Sequence, residues 1–133
     1  MTPELQNKLF EKYSKIFKQK DMSITESCMG WGIDCGDGWY WLIDQLCQSL
    51  QSDVDSRNLT AKKLIPQIEA VQVKEKFGGL RFYTQSANDE QYGMIDLAET
   101  MSYSICENCG SVEDVSQTKG WIKTLCEKCM KLI

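Results

Sequence analysis

The chain contains no histidine. That absence excludes Ser-His and Cys-His catalytic pairs and any metal site with an imidazole ligand. A general base has to be a carboxylate, a lysine, a tyrosine or a metal-bound water. No apolar stretch approaches the roughly 20 residues that a bilayer crossing needs. The opening MTPELQNKLF also lacks the apolar core of a secretion signal, so a cytosolic setting is expected. A cationic excess is missing too: 15 Lys and Arg face 19 Asp and Glu, for a net charge of −4. A broad, charge-driven nucleic-acid binder is usually basic overall, so that class is disfavoured, although a local basic patch stays open.

What is present is an ordinary soluble balance, 42% hydrophobic and 26% charged over 133 residues, which fits one domain or one domain with a small appendage. Such a length buries roughly two-thirds of its unfolded surface. The seven cysteines are odd in number. In a reducing compartment they point to metal rather than to a disulfide framework.

Four of them are ordered as CENC, sixteen residues, CEKC, that is Cys106, Cys109, Cys126 and Cys129. The double spacing predicts one tetrahedral, four-thiolate zinc ion per chain, and a redox-active pair is the weaker alternative. A closed thiolate shell leaves no open coordination position, so the zinc is expected to be structural. Gly110 lets the backbone fold under the metal. Lys119-Gly120 is placed to turn a hairpin, and Cys126 and Cys129 fall in the first turn of a short helix, LCEKCMKLI. Knuckle, hairpin and helix predict a treble-clef or zinc-ribbon-like module over 106–133. Lys119, Lys123, Lys128 and Lys131 can offset its charge. Cys28, Cys35 and Cys47 read as free thiols, with Cys47 in a helix stripe. A second metal held by Cys28 and Cys35 with Asp34 or Asp37 is a poor set, and a nucleophilic Cys35 has no histidine to activate it.

Residues 1–105 predict an α+β domain of three helices against a small antiparallel sheet. TPELQNKLFEKYSKIF opens the first helix, capped by Thr2 with Pro3 at its first position, and Leu5, Leu9, Tyr13, Ile16 and Phe17 form its stripe. SCMGWGIDCGDGW is rich in turns. Asp37 caps a second helix over about 38–52, with Trp39, Leu42, Ile43, Leu46, Cys47 and Leu50 inward and Trp41 and Asp44 on its polar face. SDVDSRNLT is expected as a connector and 60–64 as a short helical turn closed by Pro66. A strand follows from Ile68. Asn88 and Gln91 form a capping box for the third helix, whose stripe is Met94, Ile95, Ala98, Met101 and Ile105.

VKEKFGGLRFY predicts a hairpin turning on Gly78-Gly79, with Lys76 opposite Arg81 and Lys74 opposite Tyr83. Strand alternation gathers Val73, Phe77, Leu80 and Phe82 on one face, with Glu75 the misfit, and Lys74, Lys76, Arg81 and Tyr83 on the other. Facing cations repel. Either a carboxylate from elsewhere in the fold or a bound phosphate has to compensate, and Arg, Lys and Tyr suit a phosphorylated ligand. Asp37, Trp39 and Trp41, at a helix start that attracts anions, are added to that expected ligand site.

CGDGWYWLIDQLC, VQVKEKFGGLRFY, IDLAETMSYSICENCG and GWIKTLCEKC resemble a group of small phage and prophage proteins. These share a Gly-Asp-Gly-Trp helix start, a Lys-x-Lys-Phe-Gly-Gly-Leu-Arg-Phe hairpin and paired C-x-x-C motifs. The resemblance spans about Cys35 to Cys129. It implies a phage accessory protein in a bacterial cytoplasm, acting by binding and sequestration, with nucleotide immune signals among the ligands such anti-defence proteins take. The expected function is thus a non-enzymatic zinc-containing protein that binds a small nucleotide-like anion. The alternatives are a module for a host protein or nucleic acid and, with only Asp34, Asp37 and Asp44 to offer a metal, a nuclease or phosphodiesterase. No membrane partner is expected, and a homo-oligomer is left open.

Overall fold

The computed structural model describes residues 1–60 and 62–133. Helix α1 covers Pro3–Lys12, and strand β1 covers Ile33–Asp34. Helix α2 spans Tyr40–Thr60. Strands β2, Glu69–Lys76, and β3, Gly79–Gln85, form the hairpin. Helix α3 is Asp89–Ser102. Strands β4, Val115–Gln117, and β5, Thr124–Cys126, lead into the one-turn helix α4, Glu127–Met130. The mixed α+β architecture is the one expected.

The first sheet has the order β1-β2-β3. Its added strand, β1, pairs in parallel with β2, placing Ile33 beside Val73 and Asp34 beside Lys74. A two-residue strand amid glycines carries no alternation to read, and the all-antiparallel expectation is corrected here. Ile33, Val73, Leu80 and Phe82 turn inward, where they join Leu9, Ile16, Phe17, Trp39, Ile43, Leu50 and Ile95 in one buried cluster. The Phe17 ring meets that of Phe82 edge-on at 6.5 Å.

Regular helix in α1 ends at Lys12 instead of reaching Phe17, yet the stripe Leu9, Tyr13, Ile16 and Phe17 is buried. Beyond Lys12 the chain runs on as turns, and two of its groups reach other elements. Tyr13 hydroxyl donates to Asp44 Oδ1 at 2.7 Å, and the Ile16 carbonyl accepts the Ala70 N–H at 2.8 Å. Helix α2 runs on through the expected connector. Neither Gly nor Pro interrupts residues 39–60, Leu50 and Val54 are buried, and Arg57 pairs with Asp53 one turn earlier at 2.9 Å. The turn expected over 60–64 falls partly on residue 61, outside the described residues.

The capping box of α3 is present: Asn88 accepts from the Gln91 N–H at 2.9 Å and Gln91 accepts from the Asn88 N–H at 3.0 Å. That helix also seals the open edge of β3. The Leu80 N–H donates to Ser102 Oγ at 2.9 Å and the Phe82 N–H to Glu99 Oε2 at 2.8 Å, so edge amides that would invite another strand are satisfied internally.

Candidate functional site

Sequence order brings CENC to a knuckle closed by Gly110, whose φ is +82°. Its amide donates to the Cys106 carbonyl at 2.9 Å. Strands β4 and β5 pair in register from Val115–Cys126 to Gln117–Thr124, with Gly120 at a positive φ in the connecting turn. This hairpin delivers Cys126 at the end of β5, and α4 adds Cys129. The four sulfurs of Cys106, Cys109, Cys126 and Cys129 all lie within 4.8 Å of one another and can hold one metal ion. Asn108 Nδ2 donates to Cys129 Sγ at 3.2 Å. Burial opposes charge on Cys106, but amides of Cys109, Cys126 and Asn108 outweigh it and bring the thiol down to about 7. Cys109, despite the Ser111 amide, is pushed up to about 12 by burial and by the neighbouring thiols. One thiolate forms readily and the next is resisted, which is the electrostatic situation a divalent cation relieves.

The knuckle docks onto the Gly-Asp-Gly-Trp segment. Gly36 N–H donates to Glu107 Oε2 at 2.9 Å, Gly38 N–H to the Glu107 carbonyl at 2.8 Å, and Trp39 Nε1 to the Ile105 carbonyl at 2.9 Å. A Cβ on Gly38 would stand 2.1 Å from the Cys106 carbonyl oxygen. The anion drawn to this helix start is therefore the chain's own Glu107. That corrects the expectation for the segment: Trp39 is 0% exposed, and Asp37, which caps no helix, accepts the Thr2 N–H at 2.7 Å. Trp39 is therefore not available to a ligand. Both glycines stood out in the sequence, but their partner lies some 70 residues away and no local pattern names it.

On the hairpin, the turn is Phe77-Gly78 and not Gly78-Gly79. Lys76 faces Gly79, Lys74 faces Arg81 and Gln72 faces Tyr83. The shift is two residues along the partner strand, so alternation is conserved and Lys74, Lys76, Arg81 and Tyr83 share the outer face. Gly79 lies in β3, where a Cβ would stand 2.3 Å from the Tyr103 ring, so this strand position requires glycine. Among the described residues, Lys74, Lys76 and Arg81 form no ion pair. Asp34 is the neighbour of Lys74 in register. The Arg81 guanidinium donates to the Leu80 carbonyl at 3.0 Å and to the Tyr103 hydroxyl at 3.2 Å, and this tyrosine raises its already high pKa further.

Finger and hairpin meet through Thr124, fully buried, whose hydroxyl donates to the Gly78 carbonyl at 2.5 Å. Two clefts flank that contact. The larger, about 660 Å³, lies between Lys74, Glu75, Glu107, Lys123 and Cys129. Within it, Glu107 Oε1 has no hydrogen-bond donor and stands 3.7 Å from Lys123 Nζ. The smaller, about 350 Å³, is bordered by Lys74, Lys76, Phe77, Gly120, Trp121 and Ile122. Trp121 is absent from the expected ligand site, although a Trp beside a turn glycine is visible in the sequence. Trp41 is remote from both clefts and lines an apolar groove between α2 and α3 with Leu97 and Met101.

Burial pushes the Cys35 thiol up to about 12 and the fully buried Cys47 well above its ordinary value, so neither offers a thiolate near neutral pH. Among the described residues, the four tail cysteines are the one group of three or more potential ligands close enough to share an ion. Cys28 and Cys35 do not assemble one with Asp34 or Asp37, and Asp34, Asp37 and Asp44 do not cluster. No helix among the described residues is long and apolar enough to cross a membrane. No family model, curated protein or solved structure matches this chain.

Proposed function

We propose that this chain is a non-enzymatic binding protein. In this reading one structural zinc ion holds its C-terminal finger in a treble-clef-like arrangement, and its hairpin takes a small phosphorylated ligand. For zinc, the chemistry of the donor set argues: four thiolates and no other ligand type. A tetrahedron with metal–sulfur bonds of about 2.3 Å has edges of about 3.8 Å, and Cys109 Sγ stands 3.7 Å from Cys126 Sγ. Such an ion supplies folding free energy and leaves no site for substrate.

The observation that carries the ligand reading is the unpaired basic face. An acidic protein has carboxylates to spare, yet Lys74, Lys76 and Arg81 take none within ion-pair distance among the described residues. Arg81 is oriented by Tyr103, Tyr83 offers an exposed ring and hydroxyl on the same face, and the lysines border the clefts beside the finger. Lack of histidine and the raised pKa of the Cys35 and Cys47 thiols favour holding a ligand over transforming it. Sequestration of a nucleotide signal is the purpose that the phage resemblance suggests.

Calorimetry with a panel of cyclic and linear nucleotides tests this. Binding of at least one is expected, weakened about ten-fold or more by Lys76→Ala or Arg81→Ala, the loss due to a charged hydrogen bond of roughly 1.5–3 kcal/mol. Absence of heat with every nucleotide refutes the reading. A second reading, a module for a host protein, draws on the apolar groove, where Trp41 is 58% exposed beside Leu97. A defined host partner retained by the native chain and lost on Trp41→Glu, with nucleotides inert, selects that reading instead.

A further inference from the structure

We propose that the tips of the two hairpins form a stacking clamp for an unpaired nucleobase, with Phe77 and Trp121 supplying aromatic faces and Lys74 and Lys76 reaching the attached phosphate. The clamp rests on the anion-binding reading above and specifies the rest of the ligand.

Exposed large aromatics are the informative exception on a protein surface. Here two occur together: Trp121 is 81% exposed and Phe77 68%, and they border one cleft of about 350 Å³, within the roughly 300–1,000 Å³ of small-ligand sites. Each sits beside a turn glycine with positive φ, Gly78 and Gly120. Phe77 itself has a φ of +52°, a left-handed conformation that strains a bulky residue. A glycine was available one position on, so local preference does not explain why an aromatic occupies the strained, exposed tip. The finger is anchored to that tip through the bond from Thr124 to the Gly78 carbonyl, which fixes Trp121's turn against Phe77's.

The charges agree. Lys76 Nζ lies 5.7 Å from the Phe77 ring centroid, and Lys74 stands on the same cleft. Glu75, the one acidic residue lining it, is occupied as an acceptor for the Gly78 N–H at 2.7 Å. Aromatic faces beside ammonium groups match a planar base carrying phosphate, the combination used to bind unpaired nucleotides. Two lysines on an otherwise acidic chain suit one or two nucleotides rather than a long duplex track.

The test titrates the full chain with 5′-AMP, a single-stranded oligoadenylate of ten residues, the matching duplex and inorganic tripolyphosphate. Stacking worth about 1–3 kcal/mol per base corresponds to roughly 5- to 150-fold in affinity. Phe77→Asn and Trp121→Ala are each expected to weaken AMP and oligoadenylate about ten-fold or more while tripolyphosphate is unchanged. Phe77→Asn creates a favoured Asn-Gly turn, so its melting temperature is expected to rise, which separates lost binding from lost folding. Oligoadenylate binding far tighter than AMP identifies a single strand as the source of the base, and equal binding a mononucleotide. Tripolyphosphate binding as tightly as AMP, with both aromatic variants silent, overturns the clamp and leaves the anion site standing, as does a duplex that binds equally well. No binding by any probe removes both.

Discussion

Asp44 is a residue whose position on a helix misleads. Periodicity places it on the polar side of α2, but its carboxylate is largely buried, accepting from Lys12 at 2.9 Å and from the Tyr13 hydroxyl at 2.7 Å. Burial alone would raise its pKa; those two donors outweigh burial and hold it below the ordinary carboxylate value. Tyr13 is in turn pushed up to about 12 by burial and by Asp44. Because the folded pKa is depressed, the stabilisation is complete above the unfolded value near 4 and is lost as pH falls through the folded one. Asp44→Asn is therefore expected to lower stability at pH 7, by about 1 kcal/mol for the weakened Tyr13 bond. Urea unfolding from pH 7 to pH 2 should show the difference from the native chain closing below pH 4; a gap constant with pH contradicts the assignment. Phe77 shows the same limit of single-residue reading. Its alternation predicts core, whereas the register, with Lys76 opposite Gly79, places it in the turn.

Elements were legible where the signal is local. The capping box of α3, the buried positions Leu9, Tyr13, Ile16 and Phe17 in and after α1, the paired C-x-x-C knuckles and the existence of the hairpin all rest on residues within a few positions of one another. Strand β1 and the far half of α2 were not, since a two-residue strand has no period and polar helix surface looks like linker. Nor was the use of the Gly-Asp-Gly-Trp segment, whose amides serve the knuckle rather than a ligand. That docking gives two opposite outcomes for one substitution. Gly38→Ala thrusts a methyl at the Cys106 carbonyl oxygen, 2.1 Å from the ideal Cβ; backbone must shift, at a cost of about 1–3 kcal/mol. The shift reaches Cys106, a candidate metal ligand, so faster metal loss to a chelator should accompany the lower melting temperature. Gly93, inside α3 with nothing within 4 Å of its Cβ position, should gain roughly 0.5–1 kcal/mol on replacement by alanine. Equal effects at the two sites would mean that the interface is softer than its geometry indicates.

At the scale of the molecule, two buried clusters divide the work. One gathers helices and sheet from Leu9 to Ile105; the other is small, Cys106, Leu125, Cys126 and Cys129, and consists mostly of metal-ligand candidates. So few apolar groups cannot hold the tail by burial alone; with the zinc proposed above in place, its binding free energy, on the order of 10–16 kcal/mol in small peptides, would become the tail's folding energy. Removing the metal with a chelator should therefore unfold the tail and spare the body. Hydrogen exchange is expected to show protection lost across β4 and β5 and kept in α2, β2 and β3, while native mass spectrometry counts the loss of one ion per chain. The nucleotide site proposed above would span both parts. Its lysines sit on the hairpin, but Trp121 is positioned by the finger through Thr124. Metal removal should thus abolish nucleotide stacking while weak tripolyphosphate binding to Lys74, Lys76 and Arg81 persists. A metal far from any chemistry would then govern affinity through the wall it holds in place. Loss of protection throughout the chain in a single step would show instead that the two clusters fold as one, and that the finger supports the sheet as much as the sheet supports the finger.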